Sequence, residues 1–505
     1  MPRLRRVLCS VTAAAAVVTV AAGSATAASE PRAASAVPAA EAPAVPAAVS
    51  QTVHEWLTNP GDATPVDAQL PWQTPAADAP TTIRLDPNVK FQTVSGFGAA
   101  ITDSSAHVLY GLAPQDRDEV MKNLFDPRAG AGLSFLRQPI GASDFAVGQD
   151  YSYDDLPAGQ TDYAMKHFSI AHDEAQILPL VRQAKKLNPK LQIVASPWSM
   201  PGWMKTSGSM IDGKLIDSPQ IYRAYALYLV KFVQAYQQAG VHVDYLTVQN
   251  EPQALERNNY PGTDLPWQQE AKVVEALGPA LRGAHLDTKI LGFDHNWAEH
   301  PGDIASHQRA GEDPQPEYPY DLLSTPAAKW LAGTAYHCYY GSPDAQTPLK
   351  ASFPGKDIFM TECEGGDSST ILGVMKNWGR SSIDWNIALD ENHGPHLGGC
   401  GTCNGTITVN SQTKAVTYND QYRDLEHFSK FVPPGAVHVA ASVVYTSGNS
   451  TPIEAVAFTN PDRSTTVVAV NTAKMEQKFT VVSVDRSFDA TAGPGATVTF
   501  QWGGR

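Results

Sequence analysis

Short apolar runs alternate with longer amphipathic segments between residues 94 and 390. In one long segment, SPQIYRAYALYLVKFVQAYQQAG (218–240), apolar residues recur at spacings of three and four, which predicts a helix. The apolar runs have the length of strands, and there are eight: VSGFGAAIT (94–102), LSFLRQPIG (133–141), LQIVASPWS (191–199), YLTVQNEP (245–252), KILGFDHNW (289–297), TAYHCYYG (334–341), DIFMTECEGG (357–366) and SSIDWNIALD (381–390). Eight successive strand and helix pairs predict an α/β fold, the (β/α)8 TIM barrel, whose parallel strands are buried on both faces.

Chemically useful side chains stand at or just beyond the carboxyl end of nearly every apolar run. They are Arg137, Asp144, Trp198, Asn250, Glu251, His295, Tyr339, Glu362 and Trp385. A doubly wound open sheet is the alternative fold for this pattern. The barrel is favoured because closure gathers the carboxyl ends of all eight strands around one pocket.

The pattern changes after about residue 405, where short alternating strands rich in β-branched residues replace the helical segments. They include TITVNSQTKAVTYN, VHVAASVVYT, IEAVAFTN, TTVVAVNTA, KFTVVSV and TVTFQW. These strands predict a C-terminal antiparallel β-sandwich, which we expect also to take N-terminal strands near Ile83–Leu85. The expected domains are an N-terminal sandwich segment at 53–93, the barrel at 94–405 and the sandwich at 406–505.

The N-terminus has the features of a secretory signal peptide over residues 1–28. Arginines precede an apolar stretch that ends in Ala25-Thr26-Ala27, a small-x-small cleavage pattern. A membrane anchor is the alternative, but the apolar stretch is short and rich in alanine. Residues 29–52 are mostly Ala, Pro, Val, Ser and Glu and predict a leader or linker. We therefore expect a secreted protein without a membrane anchor.

The net charge of the chain indicates which classes of binding partner are unfavourable. The chain of 505 residues has 51 acidic and 37 basic side chains, which give a formal net charge of −14. Coulomb repulsion therefore opposes a nucleic acid or an anionic membrane as partner. A neutral or cationic substrate is expected instead.

Four cysteines follow the predicted signal peptide, in a chain expected to reach an oxidising compartment. Cys400 and Cys403 stand in GGCGTCNG, whose glycines permit the tight turn of a local disulfide. A zinc half-site is the alternative, but no second Cys-x-x-Cys or histidine pair at ligand spacing lies nearby in the sequence. Cys338 and Cys363 receive no assigned partner from the sequence.

Two carboxylates, Glu251 and Glu362, end the fourth and seventh apolar runs. An ionisable group at the edge of a low-dielectric core costs desolvation free energy, so each needs a partner or a function. A scaffold ion pair with an arginine is the alternative for either residue alone. Two carboxylates facing one pocket are what a glycoside hydrolase needs, one as the acid and the other as the base or nucleophile.

Six strings stand in register along the chain: GFGAAITDSSA, SPWSMPGWMK, VQNEP, YHCYYG, MTECEGG and WNIALDENHGP. Together they resemble glycoside hydrolase family 30, which contains glucosylceramidases and microbial β-1,6-glucanases. The resemblance covers roughly residues 85–430 and extends more weakly into the predicted sandwich. The motif NEP alone occurs in many barrel glycosidases, but six strings in register are specific.

The resemblance implies a retaining glycosidase with Glu362 as the nucleophile and Glu251 as the general acid/base. Arg137 is expected to support Glu362 rather than to bind substrate, and a nearby cation would keep that carboxylate ionised. No metal and no organic cofactor are expected, because acid/base and covalent catalysis need only side chains here.

The resemblance also implies contacts to the sugar. Asn250 is expected at the 2-hydroxyl, Asp144 and Trp198 at outer hydroxyls, Trp385 at the ring face, and Tyr339 as a hydrogen-bond donor to Glu362. His295 and His337 are candidates for lining the site, with a buried structural role as the equal alternative.

The substrate expected is a polysaccharide or oligosaccharide, with β-1,6-glucan as first choice. The loop DENHGPHLGGCGTCNGTITV departs from the lipid-hydrolysing relatives and suggests a different aglycone side, which disfavours glucosylceramide. β-1,6-Galactan, xylan and glucosylceramide are the alternatives within the family. A non-catalytic carbohydrate-binding protein and a structural cell-wall protein are alternatives of other classes. We expect a monomer.

Overall fold

The computed structural model describes residues 52–62, 64–75, 80–254, 259–445 and 452–503. All of these residues fall within one contact unit, Ala47–Arg505. The predicted signal peptide and all but the last residue of the predicted leader lie outside the described residues. No helix within the described ranges is long and apolar enough to cross a membrane.

The described strands and helices follow in chain order. The strands are β1 (Thr52–Thr58), β2 (Val66–Pro71), β3 (Thr81–Thr93), β4 (Gly96–Ala99), β5 (Phe135–Pro139), β6 (Gln192–Ser196), β7 (Tyr245–Thr247), β8 (Lys289–Asn296), β9 (Leu331–His337), β10 (Asp357–Glu362), β11 (Ser381–Asp384), β12 (Ala388–Leu389), β13 (Ile407–Val409), β14 (Val416–Tyr418), β15 (Val437–Tyr445), β16 (Ile453–Thr459), β17 (Ser464–Asn471), β18 (Gln477–Ser483), β19 (Arg486–Ala492) and β20 (Thr497–Gly503). The helices are α1 (Asp103–Tyr110), α2 (Pro114–Phe125), α3 (Ala171–Glu174), α4 (Ile177–Leu187), α5 (Pro219–Gln238), α6 (Trp267–Gly283), α7 (Pro301–Ala310), α8 (Tyr318–Leu323), α9 (Gln346–Ser352), α10 (Ser368–Lys376) and α11 (Asp420–Ser429).

Strands β4 to β11 form a closed parallel barrel. β5 to β10 pair in sequence order, and β11 pairs with β4. Backbone hydrogen bonds join the two sheets, from Ile101 N to Arg137 O at 3.1 Å and from Trp385 N to Cys363 O at 3.0 Å. Each of the eight predicted apolar runs overlaps one barrel strand, so the TIM-barrel prediction is confirmed.

An apolar layer fills the barrel interior, with one residue from each of β5 to β11. The residues are Phe135, Val194, Tyr245, Leu291, Ala335, Phe359 and Ile383. They are buried and contact one another, which excludes water from the middle of the barrel. This layer is the floor beneath the carboxyl-terminal ends of the strands.

The sandwich is built from both ends of the described chain. Its nine strands pair in the order β19-β18-β3-β15-β16-β17-β20-β1-β2. The first and last strands meet through backbone hydrogen bonds between Gln73 and Ser487, so the sheet folds over an apolar core. The prediction that N-terminal strands join the sandwich is confirmed, because β3 lies between β18 and β15.

Two strands that the alternating pattern assigned to the sandwich pair elsewhere. β13 and β14 form a small sheet with β12, directly after the last barrel strand, and α11 follows them. An alternating pattern predicts a half-buried strand but carries no information about which sheet it joins.

Candidate active site

A pocket of about 390 Å³ opens at the carboxyl-terminal ends of the barrel strands. Its lining residues are Asp144, Trp198, Asn250, Glu251, Tyr260, Tyr339, Glu362, Glu364, Trp385, Gly399, Cys400 and Cys403. Seven of these were predicted as site residues from their positions at strand ends, and two more as a disulfide. Tyr260, Glu364 and Gly399 were not predicted.

Glu251 and Glu362 face the same buried imidazole. Nδ1 of His337 lies 3.5 Å from Oε1 of Glu251 and 3.6 Å from Oε1 of Glu362. Since a single nitrogen atom lies this close to both carboxylates, one sugar ring can contact the two at once. Both residues line the pocket.

Glu362 is held by two donors. The Tyr339 hydroxyl donates to its Oε1 at 2.8 Å, and Arg137 Nη1 donates to its Oε2. Burial of the hydroxyl and the Glu362 carboxylate raise the pKa of Tyr339 well above its usual value, so the hydroxyl keeps its proton. The Tyr339 ring is nevertheless 41% exposed at the pocket mouth. The carboxylate is therefore fixed in orientation while the pocket beside it stays open.

Glu251 is positioned by its backbone. It follows β7, and its N–H donates to the Asp294 carbonyl at 2.9 Å, while the preceding Asn250 N–H donates to Pro197 O at 2.7 Å. Glu251 has a left-handed backbone, with φ at 48°. The following Pro252 disfavours right-handed helical geometry at Glu251, so the chain turns sharply where the strand ends.

A polar layer lies between the apolar floor and the pocket. Side chains of a strand point to one face at every second residue, so the positions two beyond the floor residues should point inward again. The inward polar residues are Arg137, Ser196, Thr247, Asp294, His337 and Thr361. All six are completely buried. A buried polar layer is stable only if its members satisfy one another.

Asp294 is the centre of this polar layer. It accepts hydrogen bonds from Arg137 Nη2 at 2.9 Å, Thr247 Oγ1 at 2.8 Å and Thr361 Oγ1 at 2.6 Å. Ser196 Oγ donates to it as well, and His337 Nε2 lies at 3.1 Å. Burial opposes the ionisation of Asp294, but Arg137 and His337 outweigh burial and hold its pKa far below the ordinary value.

Asp294 is a site residue that the sequence analysis missed. Strict alternation from the floor residue Leu291 would point Phe293 inward and leave Asp294 outside. The register of β8 shifts between Phe293 and His295, and Phe293 and Asp294 both have positive φ angles, 76° and 63°. This bulge turns Asp294 into the barrel. The signal available in the sequence was the acidic residue within KILGFDHNW, an unusual member of a buried strand.

The two histidines lie behind the carboxylates rather than on the pocket surface. His337 is completely buried, and although burial opposes its charging, the carboxylates of Glu362, Asp294 and Glu251 raise its pKa to about 9. His295 is also buried, with Nε2 3.2 Å from Asp303 Oδ2 and Nδ1 3.8 Å from Glu251 Oε1. Their burial favours contact with the carboxylates over contact with substrate.

Arg137 lies between the buried carboxylates and the two tryptophans that line the pocket, Trp198 and Trp385. It donates to Asn250 Oδ1 at 2.7 Å, and its guanidinium lies 4.7 Å from the centre of the Trp198 ring. Trp198 stacks on Trp385 with ring centres 4.8 Å apart and an interplanar angle of 20°. The structure therefore brings Arg137, Asn250 and both tryptophans together at one side of the pocket.

Two disulfides border the site. Cys400 is bonded to Cys403, the local pair considered from the sequence, and both line the pocket. Cys338 is bonded to Cys363, which joins the segment bearing Tyr339 to the residue directly after Glu362. Because β9 and β10 are adjacent parallel strands, their carboxyl ends lie close enough for this second bond.

Among the residues that the structure describes, two groups of side chains have the donor atoms of a cation site. In the first, Glu251, His295 and His337 offer atoms within 4.8 Å of one another. A pKa of about 9 leaves His337 protonated near neutrality, so it acts there as a hydrogen-bond donor rather than as a ligand. The second group consists of Asp264, His307 and Glu312. Lys214 contacts both Asp264 and Glu312, so its ammonium group already pairs with the two carboxylates.

Family models match the chain in two places. The glycosyl hydrolase family 30 TIM-barrel domain matches residues 94–370, and the family 30 β-sandwich domain matches residues 435–500. The chain belongs to glycosyl hydrolase family 30. This family 30 enzyme is a glycoside hydrolase, and its substrate is a carbohydrate.

The names of relatives of the family 30 enzyme refer to two different substrates. It is 33% identical to the endo-1,6-β-D-glucanase neg1 of Aspergillus fumigatus, over 81% of this chain and 84% of the relative. It is 30% identical to the lysosomal acid glucosylceramidase of Mus musculus, over 83% of each chain. Among solved structures it is similar to the endo-β-1,6-glucanase BT3312, with a TM-score of 0.78, 30% identity and coverage of 90% of this chain and all of that one.

Asp294→Asn is expected to destabilise the family 30 enzyme by about 3–5 kcal/mol, because it removes one of the two carboxylates that pair with the buried Arg137. Chemical unfolding followed by tryptophan fluorescence measures this loss. The matched control is Asp357→Asn, which breaks a partly exposed ion pair with Arg380 and should cost at most about 1 kcal/mol. Equal losses in both variants would contradict the central place given to Asp294.

Proposed function

We propose that the family 30 enzyme hydrolyses β-1,6-glucan with retention of anomeric configuration, by double displacement between Glu362 and Glu251. The observation that carries the proposal is that both carboxylates line one pocket and approach one buried imidazole. Support for the glycan comes from the relatives named endo-1,6-β-D-glucanases at 33% identity and from the solved endo-β-1,6-glucanase at 30% identity.

In the first step, an oxygen of Glu362 attacks the anomeric carbon while Glu251 gives its proton to the departing glycosidic oxygen. A covalent glycosyl-enzyme and a shortened glucan result. In the second step, Glu251 removes a proton from water, and that water displaces Glu362 from the anomeric carbon. The sugar leaves with its original configuration, and both carboxyl groups return to their starting protonation states.

The different surroundings of the two carboxylates support this division of roles. Glu362 accepts hydrogen bonds from Arg137 and Tyr339. These two donors orient its oxygens but do not transfer their protons to it. Glu251 stands on a sharp backbone turn beside His295 and His337, with its side chain 14% exposed. A group that exchanges protons with substrate and water needs this access.

We assign the remaining pocket residues to sugar binding and positioning. Asn250 accepts from Arg137 through Oδ1, which leaves its amide N–H groups for the 2-hydroxyl. Asp144 and Trp198 would hold outer hydroxyls, and Trp385 would face the ring. His337 and His295 are proposed as positioning residues for the carboxylates.

The cellular setting is part of the proposal. We propose that the N-terminal segment directs secretion, so that the enzyme meets its glycan outside the cell, and that it acts as a monomer. The acidic chain, with a formal net charge of −14, suits a neutral polysaccharide.

Product analysis tests this function. Purified enzyme is incubated in parallel with linear β-1,6-glucan, β-1,3-glucan, β-1,6-galactan, xylan and glucosylceramide, and products are separated at successive times. We expect β-1,6-linked glucose oligosaccharides from the first substrate and at least about tenfold slower release from the others. Release of glucose mainly from glucosylceramide, whose hydrolases are also relatives, would contradict the glucan assignment. Inactivity towards all five would contradict the proposal as a whole.

A further inference from the structure

The turn closed by the Cys400–Cys403 disulfide lies on the pocket wall beside Asp144. Gly399, Cys400 and Cys403 all contribute to the lining. The turn belongs to the loop between β12 and β13, beyond the last barrel strand. From the sequence, this loop was expected on the aglycone side, whereas Asp144 is the residue expected at outer hydroxyls of the sugar. Gly399 lies against Asp144, so the role proposed for Asp144 puts the turn on the glycone side instead.

Two glycines let the turn lie flush against its neighbours. A methyl group on Gly399 would come within 2.5 Å of Cβ and Oδ2 of Asp144, and its φ of +72° also favours glycine. A methyl group on Gly398 would collide with the backbone oxygen of Asn259. Gly401, between the two cysteines, has open space around it. Gly398 and Gly399 are therefore tightly packed, whereas Gly401 is not.

Contacts of Cys403 and Asn404 also fix the turn in place. Cys403 is buried in an apolar cluster with Trp198 and Trp385, and its carbonyl oxygen lies 3.1 Å from Nδ1 of His393. The next residue, Asn404, uses its N–H to donate to Glu364 Oε1 at 3.1 Å. The disulfide therefore closes a turn that is already held by the tryptophans and by Glu364. The turn cannot move away from Asp144 without breaking these contacts.

We propose that the disulfide-closed turn at Gly399–Cys403 is a specificity-determining wall, which positions Asp144 and excludes sugars that carry a branch on the hydroxyls facing it. The substrate class in this inference rests on the proposed function. A linear β-1,6-glucan leaves those hydroxyls free, and a glucan with glucose side branches does not. The enzyme therefore cleaves next to unbranched glucose units.

The test compares three variants on linear and branched β-1,6-glucan. Gly399→Ala should lower kcat/KM by about 10- to 100-fold, mainly through KM, because displacement of a contact by about 1 Å has effects of this size. Gly401→Ala is the matched control within the same turn and should stay within about twofold of wild type. The double variant Cys400→Ser/Cys403→Ser should reduce the preference for linear over branched glucan by at least about fivefold.

Melting temperatures establish that each variant is folded before the kinetics are compared. The inference is overturned if Gly399→Ala behaves like Gly401→Ala, or if the folded double variant keeps the wild-type preference. Should the wild-type enzyme cleave another β-glycan instead, the proposed function fails separately. The same variants are then compared on linear and branched forms of that glycan, with the same expected and overturning results.

Discussion

Replacement of Glu362 by glutamine is expected to lower kcat on β-1,6-glucan by more than about 10⁴-fold while the protein stays folded. Glutamine keeps one oxygen that can accept from Arg137, and its amide group can donate to the Tyr339 hydroxyl oxygen, so both neighbours keep a hydrogen-bond partner. It lacks the negative charge needed to form a stable bond to the anomeric carbon. The loss should therefore exceed the 10²–10⁴-fold contribution typical of one general acid or base. Reducing-sugar release over hours measures it.

The control for this change is Glu454→Gln, the same substitution on the exposed side of the sandwich, where activity should remain at the wild-type level. A second variant, Glu362→Ala, makes room for azide in place of the carboxylate. With an activated glycoside such as dinitrophenyl β-gentiobioside, azide would attack from the side of the missing nucleophile and give the α-glycosyl azide. Unchanged hydrolysis by Glu362→Gln, or a β-azide from Glu362→Ala, would remove Glu362 from the nucleophile role.

The fold was predictable because the barrel repeats one signal eight times. Each buried strand is a continuous apolar run, and Phe135, Val194 and Phe359 of the barrel floor all stand in such runs. The strand ends were predictable for the same reason, since a carboxylate such as Glu251 or Glu362 interrupts an otherwise apolar segment. Parallel closure then brings these ends to one pocket.

Local irregularities account for most of what the sequence could not predict. The bulge in β8 turns Asp294 inward against the alternation of its neighbours, and alternation alone has no means of locating a bulge. The Cys338–Cys363 bond depends on two strand ends that become neighbours only in the closed barrel. The contact of Gly399 with Asp144 likewise joins distant segments, and a glycine in a Gly-rich loop shows no sign of it in the sequence.

The polar layer explains why so many charged groups can lie in the barrel at all. A buried arginine or carboxylate is costly unless it is paired and fully hydrogen-bonded. Arg137 is paired with both Asp294 and Glu362, and Asp294 is satisfied by residues from five other strands. The side chains that hold the catalytic carboxylates are therefore also the ones that make their burial tolerable. This connects the stability loss expected for Asp294→Asn to the geometry of the site.

Replacement of Glu251 by alanine is expected to produce a defect that depends on the leaving group. On β-1,6-glucan, kcat should fall by about 10²–10⁴-fold, because the departing sugar oxygen receives no proton. Dinitrophenolate leaves without one, so the first step on dinitrophenyl β-gentiobioside should remain fast. The second step lacks its base, and the glycosyl-enzyme should accumulate. Stopped-flow absorbance would then record a burst of about one equivalent of dinitrophenolate per enzyme, followed by slow turnover.

Reaction with azide distinguishes the roles of the two carboxylates by the anomer of the product as well as by the rate. It is an anion that needs no base, so it should restore turnover of Glu251→Ala by attacking the glycosyl-enzyme from the side where water normally enters. The product would be the β-glycosyl azide, the opposite anomer to that expected from Glu362→Ala. Opposite anomers from the two variants would show that Glu251 and Glu362 act on opposite faces of one anomeric carbon. An α-azide from Glu251→Ala, or an equal loss of kcat/KM on both leaving groups, would contradict the assignment of Glu251 as the acid/base.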